Sequence, residues 1–284
     1  MSGTLFVVAT PVGNLEDVTL RALRVLREVD VIAAEDTRRT ARLLSHYAIA
    51  TPSVSFHQHN VRTRVPQLLA RLHSGDNVAL VTDAGTPGVS DPGVELVEAC
   101  VQANVSVDPV PGASAPLTAA VASGFPLIPL TIFGFPPHRS KDRIAWFKAV
   151  STVQHTFTFF ESPHRVVATL SQAADILGDR PIMTARELTK KHQELIRGSA
   201  RGVSELLGQP KGELTIVVGP DKTSDLVNDQ IITTDRTAEA VAMFGHLEES
   251  GRSRRAAMAA AARTFGLPVN AVYAAVEAAK KSGK

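Results

Sequence analysis

The chain is 284 residues long and 44% hydrophobic, enough for two compact domains, or one large one, with a real core. Its net charge is only +2, so overall charge does not announce a nucleic-acid binder, and any RNA footprint must come from local patches. No apolar run is long enough to cross a bilayer, no signal-peptide pattern opens the chain, one cysteine excludes an internal disulfide, and nine histidines lack metal-site spacing, which together point to a metal-free cytoplasmic protein.

Short apolar runs alternate with helical ones from the start. Leu5–Ala9 is a predicted strand, and Asp17 is placed to cap a helix running to Val29, with Leu20, Leu23 and Leu26 at helical spacing. A strand over Val31–Ala34, a helix over Arg38–Tyr47, a strand over Ser53–Phe56 and a helix over Val61–His73 follow. Val78–Thr82 is the clearest strand and ends in a Gly/Pro loop. A helix carrying Cys100 as a small buried residue, a strand over Val105–Val110 and a helix over Ala113–Ser123 complete this half. Such alternation predicts a mainly parallel sheet whose ligands sit beyond the carboxyl ends of its strands.

Gly124–Pro129 breaks the pattern and reads as a domain junction. Strands are predicted over Leu130–Phe135, Thr156–Phe160, Pro181–Thr184 and Leu214–Val218, with helices over Lys141–Val150 and Pro163–Leu177. The expected organisation is α/β domains over 1–123 and 124–219, a polar linker over 220–235, and a helical module over 236–284. The module holds runs Thr237–Ser250, Ser253–Thr264 and Val269–Lys281, with Gly266-Leu267-Pro268 as the turn of a helix-turn-helix-like unit. From Arg252 onward there are seven basic residues against one acid, Glu277. Arg252, Arg254 and Arg255 are candidate RNA contacts, the alternative being an alanine-rich pair with a solvated basic face.

Three loops at strand ends mix glycine, proline and small hydroxyl residues: Thr10–Asn14, Thr82–Gly93 and Pro111–Ala115. Glycine lets a ligand approach the backbone and proline fixes the turn. None fits a phosphate-binding fingerprint, which argues against nucleoside triphosphatases and dinucleotide enzymes. Polar clusters sit beside them at 34–39, 56–60, 160–165 and 185–191. Their His, Asn, Arg and Lys content suits a polyanion, with cations for phosphates and Asn, His and carboxylates for sugar hydroxyls.

In order, ATPVGNLEDVTLRAL, AEDTR, SFHQHN, VTDAGTPGVSDPG, PGASA, FESPHR and ARELTKKHQE resemble the small-subunit ribosomal RNA methyltransferase I family of the tetrapyrrole-methylase superfamily, over about residues 3–219. The resemblance implies a two-domain α/β fold of the class III S-adenosylmethionine methyltransferases, extended here by the C-terminal helical module. It also implies S-adenosylmethionine between the domains, methylation of a cytidine ribose 2′-oxygen in the decoding region of small-subunit ribosomal RNA, and a homodimer, for which Leu127–Phe135 offers apolar surface. The cofactor positions it implies are Asp83, Ala84, Gly85, Thr86 and Pro87, then Ser114, Ala115, Phe160, Glu161, Leu214 and Thr215. Pro11 and Ser90 of the same loops join them. Corrin-making relatives have a Gly-Gly-Asp-Pro loop where this chain has Ala84-Gly85-Thr86-Pro87, which moves it toward the RNA branch.

A ribose hydroxyl needs a proton acceptor in reach, so the catalytic candidates are Glu35 or His57 as acceptor, with Arg38 and Asn60 beside them. Gln58 stands where many members carry an acid and is assigned no role. Arg165, Arg186 and Lys190 are candidate RNA contacts. Gly85→Val is expected to weaken cofactor binding in a folded chain. The rival readings are a tetrapyrrole or other small-molecule methyltransferase, and a non-catalytic RNA-binding ribosome-assembly factor.

Overall fold

A computed structural model describes residues 2–208, 210–221 and 237–282. They fall into two compact units, 1–220 and 221–284.

The first unit opens with a sheet of five strands: β1 (Thr4–Val8), β2 (Val31–Ala34), β3 (Ser53–Ser55), β4 (Val78–Val81) and β5 (Ser106–Val110). Their order is β3-β2-β4-β1-β5 and every pairing is parallel. β2 and β4 are buried along their whole length because helices cover both faces. Alternate residues divide between two cores. Ile32 and Ala34 join Leu23 and Leu26 of α1 (Leu20–Glu28) and Leu43 and Leu44 of α2 (Thr37–His46). Val31 and Ala33 join Leu68 and Leu72 of α3 (Val61–His73) and Leu96 and Cys100 of α4 (Val94–Gln102). Cys100 is fully buried, and burial pushes its thiol up to about 11, so it is a packing residue rather than a nucleophile.

One capping expectation changes. Asp17 ends a short 3-10 turn, Leu15–Asp17, and α1 is capped by Thr19, whose hydroxyl accepts from the Ala22 N–H at 3.1 Å. Thr19 has the extended backbone a cap requires, and Asn14 caps the preceding turn, so two short elements replace the single helix expected.

The second sheet holds β6 (Leu130–Ile132), β7 (Thr156–Glu161), β8 (Pro181–Arg186), β9 (Glu194–Ser199) and β10 (Leu214–Val218), in the order β6-β7-β10-β8-β9. Only β6 and β7 are parallel; β10 runs antiparallel to β7 and β8, and β8 to β9. One face carries α6 (Ser140–Val150), α7 (Val166–Leu177) and α8 (Ala200–Leu207), packed through Phe147, Leu170 and Val203 onto Phe157, Phe159 and Ile216. The other face receives α5 (Ala115–Ser123), whose Ala119 meets Met183, Ala185 and Val217. α5 follows the last strand of the first sheet yet packs on the second, which ties both sheets into one unit.

The second unit contains a helix over 237–249 (α9), α10 (Arg254–Phe265) and α11 (Val269–Ser282). Its small core is built from Ala240, Phe244, Ala257, Met258, Ala261, Val272 and Val276. Ser253 precedes α10 without a side-chain cap, and Gly266 closes the helix in the left-handed conformation at φ +64. The linker expected over 220–235 lies mostly outside the described residues.

Candidate cofactor and substrate cleft

Parallel strands bring their carboxyl ends to one edge, so the loops after β1, β2, β4 and β5 are neighbours there. Thr10 and Gly85 exchange two backbone hydrogen bonds of 2.9 Å, which fasten the first loop to the third. The Thr10 hydroxyl donates to the Thr82 carbonyl at 3.0 Å, and the Thr86 hydroxyl to the Ala113 carbonyl at 3.1 Å. The Asp83 N–H donates to the Glu35 carboxylate, and the Asp36 N–H to the Asp83 carboxylate, both at 3.1 Å. Across the cleft, Gly13 lies so close to the 188–190 loop that a Cβ there would meet the Leu188 carbonyl at 2.6 Å.

Between these loops and the strand ends of the second sheet lies a cavity of about 380 Å³, within the range of small-molecule sites. Of the positions expected to hold a cofactor, Asp83, Ala84, Gly85, Thr86, Ser90, Ser114, Ala115, Phe160, Glu161, Leu214 and Thr215 line it, and so does Glu35. Pro11 and Pro87 are not among the lining residues. Val12, Arg39, Val89, Asp91, Phe135, Leu188 and Glu213 line it without having been singled out. Asp91, Val89 and Leu188 sit inside the quoted motifs, so the signal was present; Phe135 was read only as the end of a strand and of an apolar stretch offered as dimer surface, whereas the strand ends at Ile132.

The lining matches the chemistry of S-adenosylmethionine. Val12, Phe160 and Leu214 offer apolar walls to a flat base, the small residues of the loops admit a sugar, and carboxylates offset a sulfonium and an ammonium. The carboxylates differ in their surroundings. The side chain of Asp83 pairs with Arg39 at 3.3 Å. Burial raises the Glu35 carboxyl above its usual range, partly opposed by the Asp83 N–H. Asp91 is pushed up to about 7, by burial first and then by repulsion from Glu35 and Asp83, with no cation or hydrogen bond offsetting these among the described residues. Gly85 has φ +81, so Gly85→Val would strain the backbone besides adding bulk and is not the clean test expected from sequence.

The remaining candidates lie outside the cavity. His57 and Asn60 follow β3 at the far edge of the first sheet; the Asn60 side-chain oxygen Oδ1 accepts from the His57 backbone N–H at 2.9 Å. Arg38 is exposed and pairs with Asp36 at 3.3 Å. Arg165 gives its guanidinium to Glu161 at 3.2 Å and to the Pro136 carbonyl at 2.8 Å. Arg186 pairs with Glu194 at 2.9 Å. Lys190 pairs with Glu187 at 2.9 Å and lines an open groove with Asn14, His46 and Lys191. Arg252 and Arg255 are exposed in the second unit, where Arg254 forms an ion pair with Glu277.

The model of the Tetrapyrrole (Corrin/Porphyrin) Methylases matches residues 4–203. A Bacillus subtilis protein named ribosomal RNA small subunit methyltransferase I is 41% identical over 279 residues, covering 95% of this chain and 93% of that protein. The chain belongs to the ribosomal RNA small subunit methyltransferase I family of tetrapyrrole methylases. A member of this family from Thermotoga maritima is 47% identical over 221 residues, which cover 76% of this chain and 98% of that protein. The fold is shared with uroporphyrin-III C-methyltransferase of Thermus thermophilus, solved with S-adenosylhomocysteine, at TM-score 0.55 and 19% identity over 76% of this chain and 97% of that one.

The Asp91 environment sets a pH dependence. Its folded midpoint of about 7 lies above the ordinary 3.8, so between these values the folded chain keeps a proton that the unfolded chain has lost. Stability therefore falls as pH rises through that window. Asp91→Asn is expected to raise Tm at about pH 8 and to change it little near pH 4. Thermal melts at the two pH values check this; equal shifts at both, or a loss at the higher one, contradict it.

Proposed function

We propose that the chain transfers a methyl group to the 2′-oxygen of a cytidine ribose in the decoding region of small-subunit ribosomal RNA. The methyl donor is S-adenosylmethionine. The observation that carries this reading is the single cavity edge at which four loops of the first sheet meet the strand ends of the second, lined by carboxylates suited to a cationic donor. The names of the relatives support ribosomal RNA as the acceptor.

When bound, the sulfonium makes its methyl carbon electrophilic, and much of the catalysis is then positioning. Ala84, Gly85, Ser114 and Ala115 let the donor approach the backbone, with Pro11 and Pro87 fixing the turns beside them. Phe160, Leu214 and Thr215 close the opposite wall. Asp91 is the carboxylate that gains most from a bound cation. Glu35 takes the hydroxyl proton: it faces the cavity, and its raised midpoint makes it a stronger base than an ordinary carboxylate. His57, Asn60 and Arg38, at neighbouring strand ends, contact the RNA beyond the reacting ribose. Arg186 and Lys190 hold phosphates along the second-sheet side. The protein works in the cytoplasm as a homodimer, with exposed Ile128 and Ile132 at the interface. Among the described residues, no helix is long and apolar enough to cross a membrane.

Mass mapping of ribosomal RNA from a strain lacking this gene, with and without the gene restored, tests the acceptor. One decoding-region cytidine should lose its ribose methyl in the deletion and regain it on restoration. An unchanged small-subunit RNA would overturn the assignment.

The helical unit is proposed as an accessory RNA grip. The 221 residues that account for nearly all of the Thermotoga relative leave about a quarter of this chain without a counterpart there. Exposed Arg252 and Arg255, with Arg254 beside them, offer phosphate contacts that add affinity without choosing a nucleotide. Changing all three to alanine should weaken RNA binding, flatten its salt dependence by up to about three counterions, and leave donor binding intact. Isotherms at several salt concentrations check this; a parental affinity and slope would make the unit a packing element only.

A further inference from the structure

The second sheet hides its aromatic rings with one exception. Of eleven phenylalanines and one tryptophan, only Phe135 is exposed, at 58%. Phe133, two residues earlier, packs edge-on against Trp146 and Phe157 in the core. At Gly134 the chain turns toward the cleft: a Cβ there would lie 3.0 Å from the Ser90 hydroxyl of the opposing loop, and its carbonyl accepts from the Phe160 N–H at 3.3 Å. Phe135 therefore lines the cavity, with one side against Phe160 (ring centroids 5.3 Å apart, tilted by 37°) and the rest open to solvent.

The segment after Phe135 is held by two guanidiniums. Arg165 donates to the Pro136 and Pro137 carbonyls at 2.8 and 3.1 Å and meets His138 Nδ1 at 2.9 Å. Arg165 is itself anchored on Glu161, a carboxylate only 1% exposed. Arg143, also buried, donates to the His138 carbonyl at 3.2 Å. Two prolines in succession stiffen the same stretch. An exposed ring on a clamped loop, at the mouth of a cavity, is an aromatic surface prepared in advance for a flat partner. Such surfaces bind with little ordering cost.

We propose that Phe135 is a stacking platform for a nucleobase of the RNA acceptor beside the reacting ribose, and that Arg165 is a positioning residue that holds the platform rather than a phosphate contact. The inference rests on the RNA reading above and deepens it. A ribose can reach an enclosed site only when its nucleotide leaves the helical stack, and unstacked bases are recognised by aromatic rings. The cofactor-facing wall is Phe160, leaving the outer side of Phe135 to the acceptor.

The test uses the full-length protein, labelled S-adenosylmethionine, and small ribosomal subunits from a strain lacking this gene. Phe135→Ala should raise KM for subunits roughly 5- to 150-fold, the range base–aromatic stacking spans, and leave S-adenosylmethionine affinity unchanged. Phe135→Trp should restore a near-parental KM. Arg165→Met should raise the same KM, and the double variant should fall short of the product of the single effects, because both act through one loop. A parental KM in Phe135→Ala, or an equal loss of donor affinity, overturns the platform. If the parent protein methylates subunits and Phe135→Ala matches it, the platform alone falls. If the parent transfers no methyl to subunits, the RNA reading falls and takes the platform with it.

Discussion

In a sheet whose strands are all parallel, every carboxyl end lies on one edge, and the loops that leave those ends have only that edge to share. The order β3-β2-β4-β1-β5 puts the loops after β4 and β1 side by side, flanked by those after β2 and β5. The reciprocal Thr10–Gly85 hydrogen bonds are the local expression of this constraint, since they need the two loops in register. Gly85 at φ +81 gives the backbone the turn that places its N–H and carbonyl there. Once those loops are fixed, α5 leads directly from the last of them onto the second sheet, and the cleft has its opposite wall.

The same convergence creates an electrostatic cost. Glu35 arrives at the cavity from the loop after β2, and Asp83 and Asp91 from the loop after β4, with Arg39 paired to Asp83. Burial raises the midpoints of Glu35 and Asp91, and repulsion from Asp83 at both, and from Glu35 at Asp91, adds to it. A cationic ligand relieves that repulsion, so the arrangement favours a sulfonium donor over its neutral thioether product. Glu161, on the other wall, shows the contrasting solution: it is fully paired with Arg165, with the Thr169 hydroxyl at 2.6 Å and with the Ser162 N–H at 2.8 Å, and serves as a girder.

Much of this was legible in the residues. Strands β2 and β10 and helix α3 fall where their apolar patterns put them, because buried elements carry unambiguous periodicity. β9 was not read as a strand: it is an edge, ELIRGS, with mostly exposed residues and no clean alternation. α8 was readable in hindsight, since Ala200, Val203 and Leu207 recur at helical spacing after a capping Ser199. The antiparallel pairings of the second sheet were not, because helices over 140–150 and 166–177 between strands suggest parallel crossovers. At the site, most of the residues that line the cavity followed from the motifs, whereas the separation of His57 from Glu35 depended on β3 being the outermost strand. Local sequence does not state strand order. Arg165 was read as an RNA contact from its place in a strand-end cluster; its pairing with Glu161 and the Pro136 carbonyl shows only in the fold.

The central claim is that the methyl donor sits in the cavity between the two sheets. Ala84 lines that cavity from the β4 loop and is not among the residues with positive φ, so a larger side chain there adds volume without backbone strain. Calorimetric titration of S-adenosylmethionine into Ala84→Leu is the direct measurement. The account predicts an affinity at least about tenfold weaker, or 1.4 kcal/mol, in a protein that melts with the parent. A parental affinity in that folded variant would place the donor elsewhere and contradict the account.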